Sequence, residues 1–224
     1  MNENIKIIED KEQLMEWFES GLKKKRDWMV GTEHEKFAYT FSKTKNKYIP
    51  LSYEGKKGIN IFLRELTKFG WEPICEENNI IALKKNLQSI TLEPGGQIEL
   101  SGAPLKNLHG TCKETNEHLK LVKDLGQKLD ILLVGLGVRP NESLEEVPLM
   151  PKARYQIMRN YMPKKGNRGL EMMHSTCTVQ ANLDYESEKD MINKTRVAVK
   201  IQPVVTALFA NSPFYKGTYN GYES

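Results

Sequence analysis

Cysteine is scarce. Cys75, Cys112 and Cys177 are the only three among 224 residues. Their odd number and wide spacing exclude a disulfide framework and a CxxC zinc site, and they suit a reducing compartment. No stretch of about 18 apolar residues is present, so no membrane-spanning helix is expected. Neither sign of charge dominates: 33 Lys and Arg stand against 29 Asp and Glu, a net of +4. The charges are interspersed, without the basic stripe of a nucleic-acid binder. A GxxxxGK[ST] phosphate loop is missing, and Gly135-Leu-Gly137 is too short for a dinucleotide fingerprint. The opening MNENIKIIEDKEQ is polar and acidic, unlike a signal or transit peptide. Asn141-Glu-Ser143 and Asn193-Lys-Thr195 fit the glycosylation pattern, but carry no weight without a secretory signal. A cytoplasmic protein is expected.

What remains is a globular composition, 39% hydrophobic and 28% charged, long enough to bury roughly 70% of its unfolded surface without a staple. Leu14, Trp17, Phe18 and Leu22 form one stripe of a helix over 11–25. Val30 to Phe41 reads as a strand. Lys43 to Gly58 is polar and turn-rich. Residues 59–69 form an amphipathic helix ended by Gly70. Strands over 71–75 and 80–85 meet at Asn78-Asn79, a pair suited to positive φ. Ser89 to Ser101 reads as a strand bent or bulged at Pro94-Gly95-Gly96. A helix over 104–129 opens at Pro104 and turns Leu105, Leu108, Cys112, Thr115, Leu119, Val122 and Leu129 inward.

Ile131 to Val138 is a buried strand, 152–161 a short helix, and Pro163 to Gly169 a basic loop. Leu170 to Tyr185 alternates and reads as one strand. Ser187 caps a helix running to Phe209, kinked at Pro203. With no repeat or linker, one domain over 1–224 is expected. Its class is α+β with an antiparallel sheet. The abrupt end at Ser224 suggests a truncated chain.

Three segments carry side chains suited to chemistry. In Gly31-Thr-Glu-His-Glu-Lys-Phe37, Glu33 and Glu35 share a strand face with Phe37, Tyr39 and Phe41. Either this face is covered and the carboxylates are paired or metal-bound, or the strand twists and they reach water. Glu93 and Glu99 flank the Pro-Gly-Gly break, beside a site or at an ordinary sheet corner. His174, Thr176, Thr178, Gln180 and Asn182 form an uncharged polar row, either a site for oxygens and hydrated cations or an exposed Thr-rich strand. Four carboxylates plus amide oxygens suit Mg²⁺ or Mn²⁺ and not zinc. His34, His109 and His118 have no evident partner. Lys164, Lys165 and Arg168 read as a solvated loop. Arg154 could clamp a carboxylate bidentately or form a surface ion pair. The residues by themselves reach as far as a metal–phosphate enzyme with a carboxylate-rich sheet.

GTEHEKF at 31–37, ITLEPGGQIELSGAPL at 90–105, MPKARYQIMRNYMP at 150–163, STCTVQANLDY at 175–185 and QPVVTALFANSPF at 202–214 resemble glutamate–cysteine ligases of the plant and alphaproteobacterial type. The resemblance covers about the N-terminal half of the family's length. It implies a glutamine-synthetase-like fold with a curved antiparallel sheet as active-site floor. It also implies ATP-dependent joining of L-glutamate to L-cysteine through γ-glutamyl phosphate, the first step of glutathione synthesis. By resemblance, Glu33, Glu35, Glu93, Glu99 and Gln180 would hold Mg²⁺ (or Mn²⁺), and Glu33, Gln180 and Asn182 would face ATP. Arg154 and Thr178 would bind glutamate, with Glu35 and Arg154 at the reacting groups. Cys112 sits where plant members place one half of a regulatory disulfide; here it reads as an inward helix thiol. The implied partners are L-glutamate, L-cysteine and ATP, with no nucleic acid and no membrane, in a monomer or homodimer. Alternatives are a related carboxylate–amine ligase with another acceptor, or a non-catalytic module binding Mg²⁺–ATP.

Overall fold

A computed structural model describes residues 7–223. The first six residues of the polar opening and the terminal Ser224, on which two of the expectations above partly rest, lie outside the described residues.

The fold is organised around one long strand, β1 (Val30–Ser42). A turn with Asn46 at φ 50° leads into β2 (Lys47–Pro50), a strand hidden in the polar 43–58 stretch. Helix α2 (Ile59–Thr67) buries Ile59, Phe62, Leu63 and Leu66, the stripe its spacing predicts. Strands β3 (Glu72–Glu76) and β4 (Asn79–Lys85) form the expected hairpin. Its positive φ of 51° falls on Glu77, one residue before the Asn pair.

Residues 88–101 are not one bent strand. They are two strands, β5 (Gln88–Leu92) and β6 (Gln97–Ser101), paired antiparallel with Leu92 opposite Ile98. Pro94-Gly95-Gly96 is the hairpin turn between them. Gly96 supplies φ +79°, which an L side chain resists.

Helix α3 (Leu108–Leu129) starts four residues later than Pro104 suggests. Asn107 caps it, its side chain accepting the Gly110 N–H at 2.9 Å. Its buried face is also rotated from the expected one. Glu114, His118, Val122 and Leu125 point inward, while Leu108 and Cys112 are exposed. Glu114 is held in by Gln88 and the Ala103 N–H, at 2.6 and 2.9 Å. These bonds satisfy a buried carboxylate that apolar periodicity does not count.

After β7 (Ile131–Val134) come α4 (Ala153–Tyr161) and α5 (Gly169–Ser175). Next are β8 (Val179–Leu183) and α6 (Glu188–Phe209), capped by Ser187 as expected. A small hairpin, β9 (Phe214–Tyr215) with β10 (Thr218–Tyr219), closes the chain. The single strand expected over 170–185 is therefore overturned. Its first part coils into α5 and buries Met173 and His174 on adjacent positions, which a strand would send to opposite faces.

All pairings in the main sheet are antiparallel, in the order β2-β1-β6-β5-β4-β3, with β7 and β8 also on β1. β6 and β2 flank one edge of β1, and β8 and β7 the other. The sheet is open. One face carries Ala38, Ile98, Leu100, Ile90, Leu92 and Leu83 against α2 and α3. This is the α+β architecture expected. Among the described residues no helix is long and apolar enough to cross a membrane.

Two histidines lie on the helix-packed face, and His34 gains partners there. His34 Nε2 lies 3.1 Å from the Thr32 hydroxyl and 3.3 Å from that of Thr115 on α3. His118 is buried, and burial, followed by the charges of Lys36 and His34, pushes its pKa down to about 3.

Candidate functional site

The opposite face of the sheet is where the predicted site residues meet. Residues directly opposite in an antiparallel pair point to the same side. Glu33 lies opposite Ser101 on β6 and Gln180 on β8. Glu35 lies opposite Glu99, and Glu99 opposite Thr91. Asn182 lies opposite Gly31. Glu93 follows Thr91 by two positions, so it keeps the same side. Glu33, Glu35, Glu93, Glu99, Gln180 and Asn182 thus share one surface contributed by β1, β5, β6 and β8.

Each carboxylate is held by a neutral donor. Asn182 Nδ2 donates to Glu33 at 2.9 Å, and the Thr178 N–H donates to Glu35 at 2.9 Å. Glu99 accepts from the hydroxyls of Ser101 at 2.6 Å and Thr91 at 3.3 Å. Glu93 accepts from Thr91 at 3.0 Å and from the Tyr155 hydroxyl at 3.3 Å. Close together on one face, the acids raise one another. Burial first, then the charges of Glu99 and Glu93, lift Glu35 to about 7, against the opposing Thr178 hydrogen bond. Burial and then Glu99 lift Glu93 as well, while Lys152 and Arg154 pull it back.

This face offers carboxylate and amide oxygens, the donor type that hard cations prefer, and the acids on it repel one another. Among the described residues no three Asp, Glu, His or Cys groups converge tightly enough to hold an ion. Their oxygens are turned instead to the Thr, Ser, Asn and Tyr donors just named.

Arg154 stands exposed on the first turn of α4, its guanidinium 5.7 Å from the Tyr155 ring and close enough to Glu93 to act on it. Thr178 touches Glu35 through its backbone and is otherwise exposed. His174 and Thr176 do not continue the row of Gln180 and Asn182. They belong to α5 and its C-cap, where His174 is buried and Thr176 bonds back to Met172.

Sequence reasoning missed Thr91, Ser101 and Arg139. Thr91 and Ser101 had a signal, since each is two residues from a chosen glutamate and so shares its face. Arg139 had none. It sits in the loop after β7, fully buried, and stacks 4.2 Å from Phe37 and 5.3 Å from Tyr39. It donates to the carbonyls of Gly95 at 2.5 Å and His174 at 3.2 Å. Arg139 thereby ties the β5–β6 turn and the end of α5 to the aromatic continuation of the carboxylate face. A Cβ on Gly95 would fall 2.2 Å from the His174 carbonyl, so that contact admits only glycine.

Comparison with known proteins gives this surface its relatives. The chain is 52% identical over 214 residues to glutamate–cysteine ligase B, chloroplastic, of Oryza sativa subsp. japonica, covering 96% of this chain and 42% of that protein. It is 51% identical to the Nicotiana tabacum glutamate–cysteine ligase, chloroplastic, over 96% of this chain and 40% of that protein. The Arabidopsis thaliana protein of the same name is 49% identical, again over 96% and 40%. The chain thus spans less than half the length of these curated relatives. All three are chloroplastic, which overturns the cytoplasmic location expected from the opening residues. Residues 29–224 match Glutamate-cysteine ligase family 2 (GCS2), and the chain belongs to that family.

Proposed function

We propose that this chain supplies the acidic sheet of an ATP-dependent ligase joining the γ-carboxylate of L-glutamate to the amine of L-cysteine. The observation that carries the reading is the register placing Glu33, Glu35, Glu99, Gln180 and Asn182 on one face around β1. In this reading residues 1–224 are one continuous portion of a catalytic domain, and the open sheet is the floor of a glutamine-synthetase-like active site.

Glu33, Glu35, Glu93, Glu99 and Gln180 would hold Mg²⁺ or Mn²⁺, which would supply charge neutralisation for triphosphate and the departing phosphate. Glu33, Gln180 and Asn182 would border the nucleotide. Arg154 offers the planar fork that matches a carboxylate, with Thr178 beside it. A γ-carboxylate oxygen of glutamate attacks the γ-phosphorus of ATP, and the bond to the β–γ bridging oxygen breaks, releasing ADP. The cysteine nitrogen then attacks the acyl carbon of γ-glutamyl phosphate, loses a proton and expels inorganic phosphate. The side chains of this face act on the first step by positioning, since phosphoryl transfer needs little covalent help from the protein.

The test is a chimera. Residues 29–224 replace the matching segment of the rice ligase, and ADP release is followed with glutamate and with cysteine or 2-aminobutyrate. Activity requiring both amino acids, cut at least a hundredfold by Glu35→Gln, is the expected result. Arg154→Lys is expected to raise KM for glutamate far more than KM for ATP, because Lys lacks the fork. ADP release indifferent to Glu35→Gln, or a chimera that binds Mg²⁺–ATP without turnover, would overturn the reading.

A further inference from the structure

Beyond β8 the sheet has a bare flank. Among the described residues β8 pairs with β1 alone, so its other edge is free. The hydrogen bonds of β1 show which groups face that edge. Val30 exchanges both of its backbone bonds with Leu105, and the Thr32 carbonyl accepts the Gly102 N–H. The peptide groups of Val30 and Thr32 are therefore directed away from β8. Leu183 and Ala181 lie opposite them as non-hydrogen-bonded pairs, so the N–H and C=O groups of these two residues point outward. Val179 does the same by parity. Natural edges are commonly blunted by lysine or proline, and Val179-Gln-Ala-Asn-Leu183 contains neither. Both faces of the strand are exposed as well.

Helix α6 presents a second bare surface. Val197, Ile201, Val204, Val205 and Leu208 recur at helical spacing and form one apolar stripe. Such a stripe ordinarily faces a core, yet every residue from Thr195 to Phe209 is exposed. An exposed apolar surface of this extent, next to an unblunted edge, marks a place where another polypeptide packs.

Two observations say which one. The match covers 42% of the rice ligase, so most of that protein's length lies outside it. The free edge also borders the acidic face. A strand added to β8 would extend the surface that carries Gln180 and Asn182, and every second side chain of that strand would stand beside them. We propose that the β8 edge and the α6 stripe together receive the carboxyl-terminal remainder of a family 2 ligase. One strand of the remainder adds to β8 through main-chain hydrogen bonds, and an apolar face of it packs on α6. The docked portion thereby forms a wall of the acidic face. The inference rests on the reading of residues 1–224 as a portion of a longer catalytic domain, and it adds where that portion joins the rest.

Amide hydrogen exchange is compared between the 224-residue chain by itself and the rice-ligase chimera carrying residues 29–224. The Val179, Ala181 and Leu183 amides are expected to exchange about a hundredfold more slowly in the chimera. Ala181→Pro removes an N–H that faces the free edge and spares the bonds to β1. Ile201→Glu puts a charge in the middle of the exposed stripe. Each is expected to lower the melting temperature of the chimera by about 5 °C and to leave that of the 224-residue chain unchanged. Leu87→Glu, at an exposed position in the β4–β5 turn, should leave both unchanged. Equal exchange of the three amides in the two proteins would overturn the proposal, as would equal losses in both from Ala181→Pro and Ile201→Glu. So would a dimer of the 224-residue chain, detected by sedimentation, that protects the same amides as fully as the chimera does. ADP release plays no part in these readouts. A chimera that turns over with a free β8 edge refutes the docking surface alone, and one that seals the edge without turnover refutes the ligase reading alone.

Discussion

Glu35 should make the protein less stable as pH rises, and Glu35→Gln should remove that loss. Burial and two neighbouring acids lift its folded-state pKa from 4.5 to about 7. Below 4.5 the carboxyl is protonated in both folded and unfolded chains, and it contributes nothing. Between 4.5 and 7 the unfolded chain has released its proton while the folded chain keeps it. The folded state then binds more protons, so stability falls with pH. Above 7 both states are ionised and the penalty is constant. For a fully desolvated group the gap would be about 3 kcal/mol, at about 1.4 kcal/mol per pKa unit. Glu35 is only half-buried, and solvent screening reduces this to about 1–2 kcal/mol. Gln keeps an oxygen for the Thr178 N–H and carries no charge. The variant should match the parent near pH 4.5 and exceed it by about 1 kcal/mol at pH 8. For a domain of this size that is a rise of about 2–4 °C in melting temperature. Urea midpoints of both proteins across pH 4.5–8.5 measure it, and saturating Mg²⁺ should shrink the gap at pH 8. A gap that is independent of pH, or that favours the parent at pH 8, would refute the account of this face as mutually repelling carboxylates.

Two further outcomes rest on packing. Gly95→Ala would place its Cβ 2.2 Å from a backbone carbonyl, whereas a Cβ on Gly135 meets nothing within 4 Å; the first should cost about 2–3 kcal/mol and the second under about 0.5, read from denaturant midpoints. Cys75 and Cys112 are exposed, while Cys177 is buried and its pKa is pushed up to about 11 by burial and then by the Glu35 charge. A thiol reagent at pH 8 should therefore label two cysteines quickly and the third only in denaturant. Rapid labelling of all three would contradict the packing of Cys177 under Phe37 and Tyr39.

The sequence was most legible where one local rule dominated. The amphipathic stripe of α2, the Ser187 cap of α6 and the alternation of β1 all survive. So does the sharing of a face by Glu33 and Glu35 and by Gln180 and Asn182, because strand parity is fixed by the backbone. Legibility failed where tertiary partners outvoted pattern. The 170–185 stretch alternates, yet its first part is helical, since Met173, His174 and Ser175 are all buried under the β5–β6 turn. The inner face of α3 was misread because Glu114 and His118, polar by composition, are the residues turned inward. In α1 (Lys11–Ser20) the stripe of Leu14, Trp17 and Phe18 is present, yet all three are exposed, at 45%, 77% and 67%. An amphipathic period shows that a helix has an apolar side, not that anything described lies against it. Arg139 was invisible because its role depends on carbonyls and rings drawn from three separate segments.

The two faces of the sheet divide the labour, and β1 is where they are coupled. Its even positions His34, Lys36 and Ala38 look toward α2 and α3, and its odd positions carry Glu33, Glu35, Phe37 and Tyr39. Over the odd side, Arg139 caps the aromatic half and leaves the carboxylate half open. The same guanidinium grips the β5–β6 turn next to Glu93, and the carbonyl of His174 at the end of α5, four residues before the Thr178 amide that binds Glu35. The positions of two acids on different strands are therefore set by one buried side chain whose charge is masked by aromatic faces and carbonyls. Burying such a group is expensive unless its partners are fixed. Fixed partners in turn give the adjacent carboxylates a rigid frame, and rigidity of the frame, more than any single distance within it, is what lets like charges be held side by side on an open sheet.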